Sequence, residues 1–400
     1  MTDQSILIFG AGKIGRSFVG QLFGNAGYEV VFVDMDESLV KELNMRGSYP
    51  VIIKGVDKEE RLVIENVRAI HAVDTDAVIR AIRDTSIMAI SVGKSALPAI
   101  APVIATGLLE RESHRTGRIL DMILAENMRS SNLFFREKLR ENLPPSYPLD
   151  TMVGLVETSI GKMVPIMTPG DLAEDPLQVF AEPYNTLILH NKGFKGEIPK
   201  IKDLALKENM KAWVDRKAFI HNLGHATAAY RGHLKYPEAT FMYEVLGDAK
   251  VYAFTKKVMA ASAQILMATY PGEFTWNGLS DHIDDLLNQF QNRNLGDTVF
   301  MVGSDLQRKL GRDDRFMGMI RLAGELDLPC DLILEAMALG FTFKGKDQHG
   351  RMFPGDVDFH KEWSQDPHKV LEKVCGLTKS GDAVLVNTIL QLYNQVSRHS

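Results

Sequence analysis

Residues 211–226 of this chain read Lys-Ala-Trp-Val-Asp-Arg-Lys-Ala-Phe-Ile-His-Asn-Leu-Gly-His-Ala, which sets Lys217, Asn222 and His225 within nine positions of one another. An amine able to lose a proton, an amide donor and an imidazole can deprotonate an alcohol, stabilise the oxyanion and orient a hydroxyl. Phe219, Ile220 and Leu223 between them are apolar, as a core-facing helix side requires. At about 100° per residue, Asn222 lies about 140° and His225 about 80° round from Lys217, on one side of the axis. A lysine base must be neutral before it acts. Free lysine titrates near ~10.4, so burial or a neighbouring positive charge has to bring it down, and Arg216 and Lys162 are candidates for that charge. His221 and His225 are also spaced i, i+4, which invites a zinc reading. No His-Glu-x-x-His, cysteine pair or acidic cluster supplies a third ligand, so no metal is expected.

Such a trio needs a large scaffold. Four hundred residues, 45% apolar and 24% charged, predict a globular protein of two domains. The net charge of −5 argues against a nucleic-acid surface, and no apolar run is long enough to span a bilayer. Two cysteines, Cys330 and Cys375, fit a reducing cytoplasm rather than a disulfide framework.

The first half alternates strand and helix. A strand over 6–9 ends in Gly10-Ala-Gly12-Lys13-Ile14-Gly15, a helical pattern carries Phe18, Val19, Leu22 and Phe23, and a second strand over 28–33 ends at Asp34. This is a βαβ unit with a dinucleotide fingerprint. Gly10 serves the tight turn, Gly12 the approach of the pyrophosphate and Gly15 the helix–strand packing. Lys13 and Ile14 open the helix whose amides would meet the pyrophosphate. Asp34 would accept from the adenosine ribose hydroxyls and repel a 2′-phosphate, so NAD is expected. Arg16 reads either as a second phosphate contact or as a solvated helix-end arginine. Further strands are expected over 86–92, 119–125 and 153–159. Val92 and Gly93 would pass the nicotinamide ribose. Asn127, at the end of the next strand, would either face the ligand or cap a helix.

The second half reads as helical, with runs over 204–230, 251–270, 282–290, 316–326, 332–338 and 383–396. The expected division is 1–195 and 196–400, across the turn-rich residues 190–196. Residues 344–355 form a polar, Gly-rich loop, either an excursion or a lid. The basic string Arg308, Lys309, Arg312 and Arg315 is interleaved with Asp313 and Asp314. It suits a phosphate or carboxylate, or else a solvated mixed-charge surface.

These residues together resemble the polyol-specific long-chain dehydrogenases, the mannitol dehydrogenase family. The likeness covers nearly the whole chain: Phe9-Gly-Ala-Gly-Lys-Ile-Gly-Arg16, Phe32-Val-Asp34, Leu43-Asn-Met-Arg-Gly-Ser-Tyr49, Glu126-Asn-Met128, Lys217-x4-Asn222-x2-His225, Leu295-Gly-Asp297 and Asp314-Arg315. The resemblance implies a Rossmann-type domain followed by a mainly helical substrate domain. It also implies zinc-independent, NAD-dependent oxidation of a polyol, with Lys217 as general base, Asn222 and Asn127 on the alkoxide and His225 on the hydroxyl. The sequence departs from the pattern at Ile160-Gly161-Lys162, after the strand holding Glu157, where an Asp-Arg pair is usual. It departs again at Gln289-Phe-Gln-Asn292-Arg293, in place of Arg-Phe-x-Asn-Pro. Both changes touch the expected substrate pocket, for which Glu157, Arg293, Arg308 and Lys309 are the candidates. The expected reaction interconverts mannitol 1-phosphate and fructose 6-phosphate. A fructuronate or tagaturonate reductase, a dehydrogenase of an uncharged polyol, and a non-catalytic NAD-binding sensor are the alternatives. The only expected partners are small molecules and further copies of the chain, as monomer or small homo-oligomer.

Overall fold

A computed structural model describes residues 4–55, 58–114, 117–126 and 128–398. Internal packing divides the chain into two units, Met1–Val214 and Asp215–Ser400.

Among its described residues the first unit holds eleven strands: β1 Ser5–Phe9, β2 Glu29–Asp34, β3 Tyr49–Lys54, β4 Glu59–Ile64, β5 Val67–His71, β6 Ile87–Ile90, β7 Leu120–Leu124, β8 Val153–Ser159, β9 Val179–Ala181, β10 Leu187–His190 and β11 Leu204–Lys207. Eight form one sheet in the order β11-β10-β8-β7-β6-β1-β2-β5. From β8 to β5 every pairing is parallel, and β10 joins β8 antiparallel. Parallel strands are covered on both faces and therefore read as unbroken apolar runs. β1, β6, β7 and β8 are buried at every residue. One covering layer carries Phe18, Val19 and Phe23 against Phe32 and Tyr49; the other carries Ile82, Ile104, Leu108 and Leu139. The strand order reverses between β1 and β6. That crevice, at the carboxyl ends of the strands, is where open α/β sheets bind ligands.

The strands expected over 6–9, 28–33, 86–92, 119–125 and 153–159 are all present. Residues 204–207, expected to begin a helix, instead pair with β10 in register Leu187↔Leu204. The Leu-Ala-Leu-Lys alternation is short enough to fit either pattern, and the open sheet edge decides it. A second sheet, β4-β3-β9, was not anticipated. It lays Tyr49, Val51 and Val179 onto the first apolar layer.

The second unit is helical. Its centre is a run formed by the π-helical turn Lys217–Asn222 and the α-helix Leu223–Lys235. The α-helix buries Leu223, Gly224, Ala226, Thr227, Ala228, Ala229, Tyr230 and Gly232, so it is enclosed on nearly all sides. Ala249–Thr269 and Asp331–Thr342 pack on it. Gly224 permits the first approach, since a Cβ there would lie 2.4 Å from Met259 Sδ. Helix starts are fixed by capping side chains: Asp248 accepts from the backbone of Lys250 and Val251, Thr275 from Gly278 and Thr298 from Met301. No helix among the described residues is long and apolar enough to cross a membrane. The 344–355 loop ends early, because Pro354 and Gly355 open the helix Pro354–Gln365.

Candidate active site

In the first unit, Gly10 follows β1 at φ +93°. A Cβ there would sit 2.7 Å from the Ser91 carbonyl oxygen. Ser91 Oγ donates to the carbonyls of Phe9 and Gly10, 3.1 Å from each, stitching the ends of β1 and β6 together. Gly15 opens the following helix; a Cβ on it would lie 1.9 Å from the Gly10 oxygen, so the turn admits nothing larger. Nothing stands within 4 Å of a Cβ on Gly12, which leaves the backbone there open. Lys13 is exposed and Ile14 half-buried at the same turn. At the end of β2, Asp34 Oδ2 accepts from Ala11 N at 2.6 Å and Oδ1 from Asp36 N at 3.0 Å. A carboxylate has about four acceptor directions, so two remain for ribose hydroxyls. Met35 beyond it is exposed and offers no cation to a 2′-phosphate. The residues present fit a dinucleotide: an open glycine turn at a helix start, with an acid one strand away.

Arg16 takes neither role expected of it. It is buried, donating from Nε to the Ala11 carbonyl at 2.7 Å and from Nη1 to the Leu177 carbonyl at 2.5 Å, so it braces the glycine loop from below. Val92 is half-buried and Gly93 exposed after β6. The Gly93 amide donates to buried Glu126 at 2.8 Å. Burial raises the Glu126 carboxyl, and the amides of Gly93 and Val92 pull it back. Glu126, for which the sequence suggested no role, thus fastens the 91–93 loop. Asn127 lies outside the described residues. Glu157 is buried on β8 and accepts from the Ser131 amide at 3.3 Å. Lys162, also buried, donates to Asn185 Oδ1 at 2.7 Å and Gln21 Oε1 at 3.1 Å.

In the second unit the helix bearing the trio is not uniformly α-helical. Residues Lys217–Asn222 form a π turn. Wider i→i+5 bonding brings residues five apart close to register, so Asn222 stands nearer above Lys217 than α-helical spacing predicts. Burial lowers the Lys217 amine to about 8, with Arg315 as the second cause. Arg315 therefore takes the part that the sequence suggested for Arg216 or Lys162.

His225 stacks on Phe290, centroids 4.2 Å apart and planes 6° from parallel. Its Nε2 is buried without a hydrogen bond, 3.5 Å from Asp297 Oδ2. Burial, then Lys309 and Arg315, hold His225 down at about 3, while burial lifts Asp297 to about 6. At neutral pH a neutral imidazole therefore faces a carboxylate, and the contact is not an ion pair. Phe290 is the phenylalanine kept in Gln289-Phe-Gln, and Asp297 ends Leu295-Gly-Asp. Both were visible in the sequence, but nothing local marked them as neighbours of His225.

The basic string divides. Lys309 is buried, donates to the Val302 carbonyl at 2.5 Å and is lowered by burial to about 7. Arg315 is also buried and bonds to Asp314 and to the Asn222 carbonyl. Arg308 is exposed and paired with Asp305 at 2.5 Å; Arg312 donates to the Gly376 carbonyl at 3.1 Å. Arg293 is exposed, its guanidinium 4.9 Å above the Tyr243 ring. Lys309 and Arg315 are thus the two cations whose charge reaches His225. Among the described residues no three His, Cys, Asp or Glu side chains stand together as metal ligands.

Two family models account for nearly the whole chain: the mannitol dehydrogenase Rossmann domain over residues 4–203 and the mannitol dehydrogenase C-terminal domain over 209–396. A mannitol-1-phosphate 5-dehydrogenase of Streptococcus mutans is 32% identical over 387 residues, 96% of this chain and 97% of that protein. One from Lacticaseibacillus casei is 30% identical over 338 residues, 84% and 86% of the two chains. Among solved structures, a D-sorbitol dehydrogenase in substrate-free form has TM-score 0.80 at 15% identity, covering 98% of this chain and 93% of its own. Pseudomonas fluorescens mannitol 2-dehydrogenase, in ternary complex with NAD and D-mannitol, has TM-score 0.75 at 17% identity, covering 99% and 93%. At those identities the structures share the fold. The two family models, covering both units, establish that the chain belongs to the mannitol dehydrogenase family and is an oxidoreductase of that family's NAD-dependent, CH–OH-acting kind.

Proposed function

We propose that this dehydrogenase interconverts mannitol 1-phosphate and fructose 6-phosphate with NAD, using Lys217 as general acid and base. The observation that carries the reading is the π turn, which joins a depressed lysine to an amide and to an imidazole whose Nε2 has no hydrogen bond. NAD, when bound, supplies the hydride acceptor in one direction and the donor in the other. In the oxidative direction neutral Lys217 takes the hydroxyl proton. The Asn222 amide donates to the developing alkoxide, an interaction of a kind worth about 3 kcal/mol of barrier. His225, held flat on Phe290, meets a substrate hydroxyl through Nε2. In the reductive direction the Lys217 ammonium returns the proton.

A buried cation beside His225, Lys309, supports a phosphorylated substrate. Neutral polyols have no use for that charge. The names of the relatives from Streptococcus mutans and Lacticaseibacillus casei agree with it. Incubation with NADH and fructose 6-phosphate is expected to yield a hexitol phosphate, identified by mass spectrometry. A chain that binds NADH and forms none contradicts the proposal.

Two further results are expected. Oxidation requires the free amine, so its rate climbs with pH through about 8; reduction requires the ammonium and falls over the same range. Profiles with no inflection in that region would remove Lys217 from the proton transfer. Asp34→Ala is expected to narrow the preference for NAD over NADP by about tenfold or more, since the 2′-phosphate no longer meets a carboxylate. Unchanged discrimination in paired kcat/KM measurements would place the ribose elsewhere.

A further inference from the structure

The π turn is held open from outside its own helix. Ser262, on Ala249–Thr269, donates from Oγ to the Phe219 carbonyl at 2.5 Å. Arg315, 93 positions away in sequence, donates from Nη1 to the Asn222 carbonyl at 3.2 Å. Its Nε and backbone amide both donate to Asp314 Oδ1, at 2.8 and 2.7 Å, which locks the guanidinium against rotation. The residue is 7% exposed. The helix that follows, Met317–Glu325, presses on the same turn: a Cβ on Gly318 would lie 2.9 Å from the Phe219 ring. A delocalised, permanently charged, planar group is thus buried against the backbone of the residue that presents the amide, one turn from the amine.

We propose that Arg315 is a positioning residue for the reaction: braced by Asp314, it holds the Asn222 end of the π turn and sets a fixed positive charge beside Lys217. The inference rests on Lys217 being the base. The geometry and the charge act in one direction. Holding the Asn222 carbonyl keeps the turn wide and the amide near the amine. A fixed cation that cannot lose its proton disfavours a second cation on Lys217, and burial adds to that effect. Other titratable or charged groups around the trio, among the described residues, include Arg216, His221 and His225 on the same helical run, His282 from Trp276–Phe290, Asp297 from the loop before Val299–Gly303, and Lys309 and Asp314. Burial holds His221, His225 and His282 well below their ordinary range, so they are neutral at pH 7. Arg315 is a permanent cation that acts on Lys217.

The test compares wild type with Arg315→Met, Arg315→Lys and Asp314→Asn. The first readout is the pH dependence of Lys217 acylation by an amine-reactive reagent, followed by peptide mass spectrometry with NADH bound. The second is the pH profile of kcat for oxidation. Arg315→Met is expected to raise both midpoints by about one unit, and Asp314→Asn, which removes a negative charge, to lower them. Arg315→Lys keeps the charge but not the planar clamp. It is expected to leave the midpoint near wild type and to lower kcat about tenfold with little change in KM. If the acylation midpoint of Lys217 stays put in both Arg315→Met and Asp314→Asn, the proposal is overturned. If it moves while the kinetic profile does not, Arg315 acts as inferred and Lys217 is not the base. Should Arg315→Met fail to bind NADH, the Asp314→Asn and Arg315→Lys pair decides alone. A lower melting temperature with wild-type midpoints and kcat in that pair would reduce Arg315 to a structural role.

Discussion

Replacing Lys217 by alanine is expected to lower kcat by about a thousandfold while NADH affinity stays within about twofold. General-base contributions run to roughly a thousandfold, and Asn222 and His225 would remain to bind substrate. The residues proposed to hold the dinucleotide are Gly10, Gly12, Gly15 and Asp34, none of which the substitution changes. Lys217→Arg sharpens the test. It retains a cation at the same place but titrates far above any working pH, so it cannot take the proton. Both variants are expected to be equally inactive. Activity of Lys217→Arg near the wild-type level would mean that position 217 contributes charge rather than proton transfer. Steady-state kcat and fluorescence titration of NADH separate the two effects.

Lys309→Met is expected to raise KM for fructose 6-phosphate by about thirtyfold, with turnover of unphosphorylated fructose, where measurable, nearly unchanged. The figure is that of a lost charge-assisted hydrogen bond, about 2 kcal/mol. Lys309 is lowered by burial to about 7, so the free enzyme carries it half charged at neutral pH. Binding an anion favours its protonated form. Affinity for the phosphate is therefore greatest below pH 7 and falls as pH rises past it, a trend the methionine variant should lose. Equal losses for fructose and fructose 6-phosphate would show that Lys309 supports the fold through the Val302 carbonyl and does not meet the phosphate.

The parts of this molecule readable from sequence are those in which function and local structure share one short segment. The glycine turn, its flanking strands and Asp34 lie within residues 6–34, where each choice is forced by neighbours a few positions away. Lys217, Asn222 and His225 share one helix, and their spacing alone put them on one side of it. What escaped was contact over long separations. Arg16 read as either a phosphate contact or a solvated helix-end arginine because one of its two carbonyl partners, Leu177, is 161 positions off. Arg315 read as part of a basic string, either anion-binding or solvated, for the same reason. β4 is a mostly exposed edge strand rich in charge, Glu-Glu-Arg-Leu-Val-Ile, without the alternation that announces a strand. The π turn has no local signal at all. Its wide bonding is sustained by Ser262 and Arg315, which reach it from elsewhere in the unit.

Whether this dehydrogenase handles a sugar-alcohol phosphate is decided by following NADH oxidation with fructose 6-phosphate, fructose, fructuronate and tagaturonate in parallel, ranked by kcat/KM. Fructose 6-phosphate is expected to turn over rapidly, and each of the others with a kcat/KM at least about a hundredfold lower, if Lys309 meets the phosphate as proposed. A higher kcat/KM for either uronate, or for fructose, would contradict it.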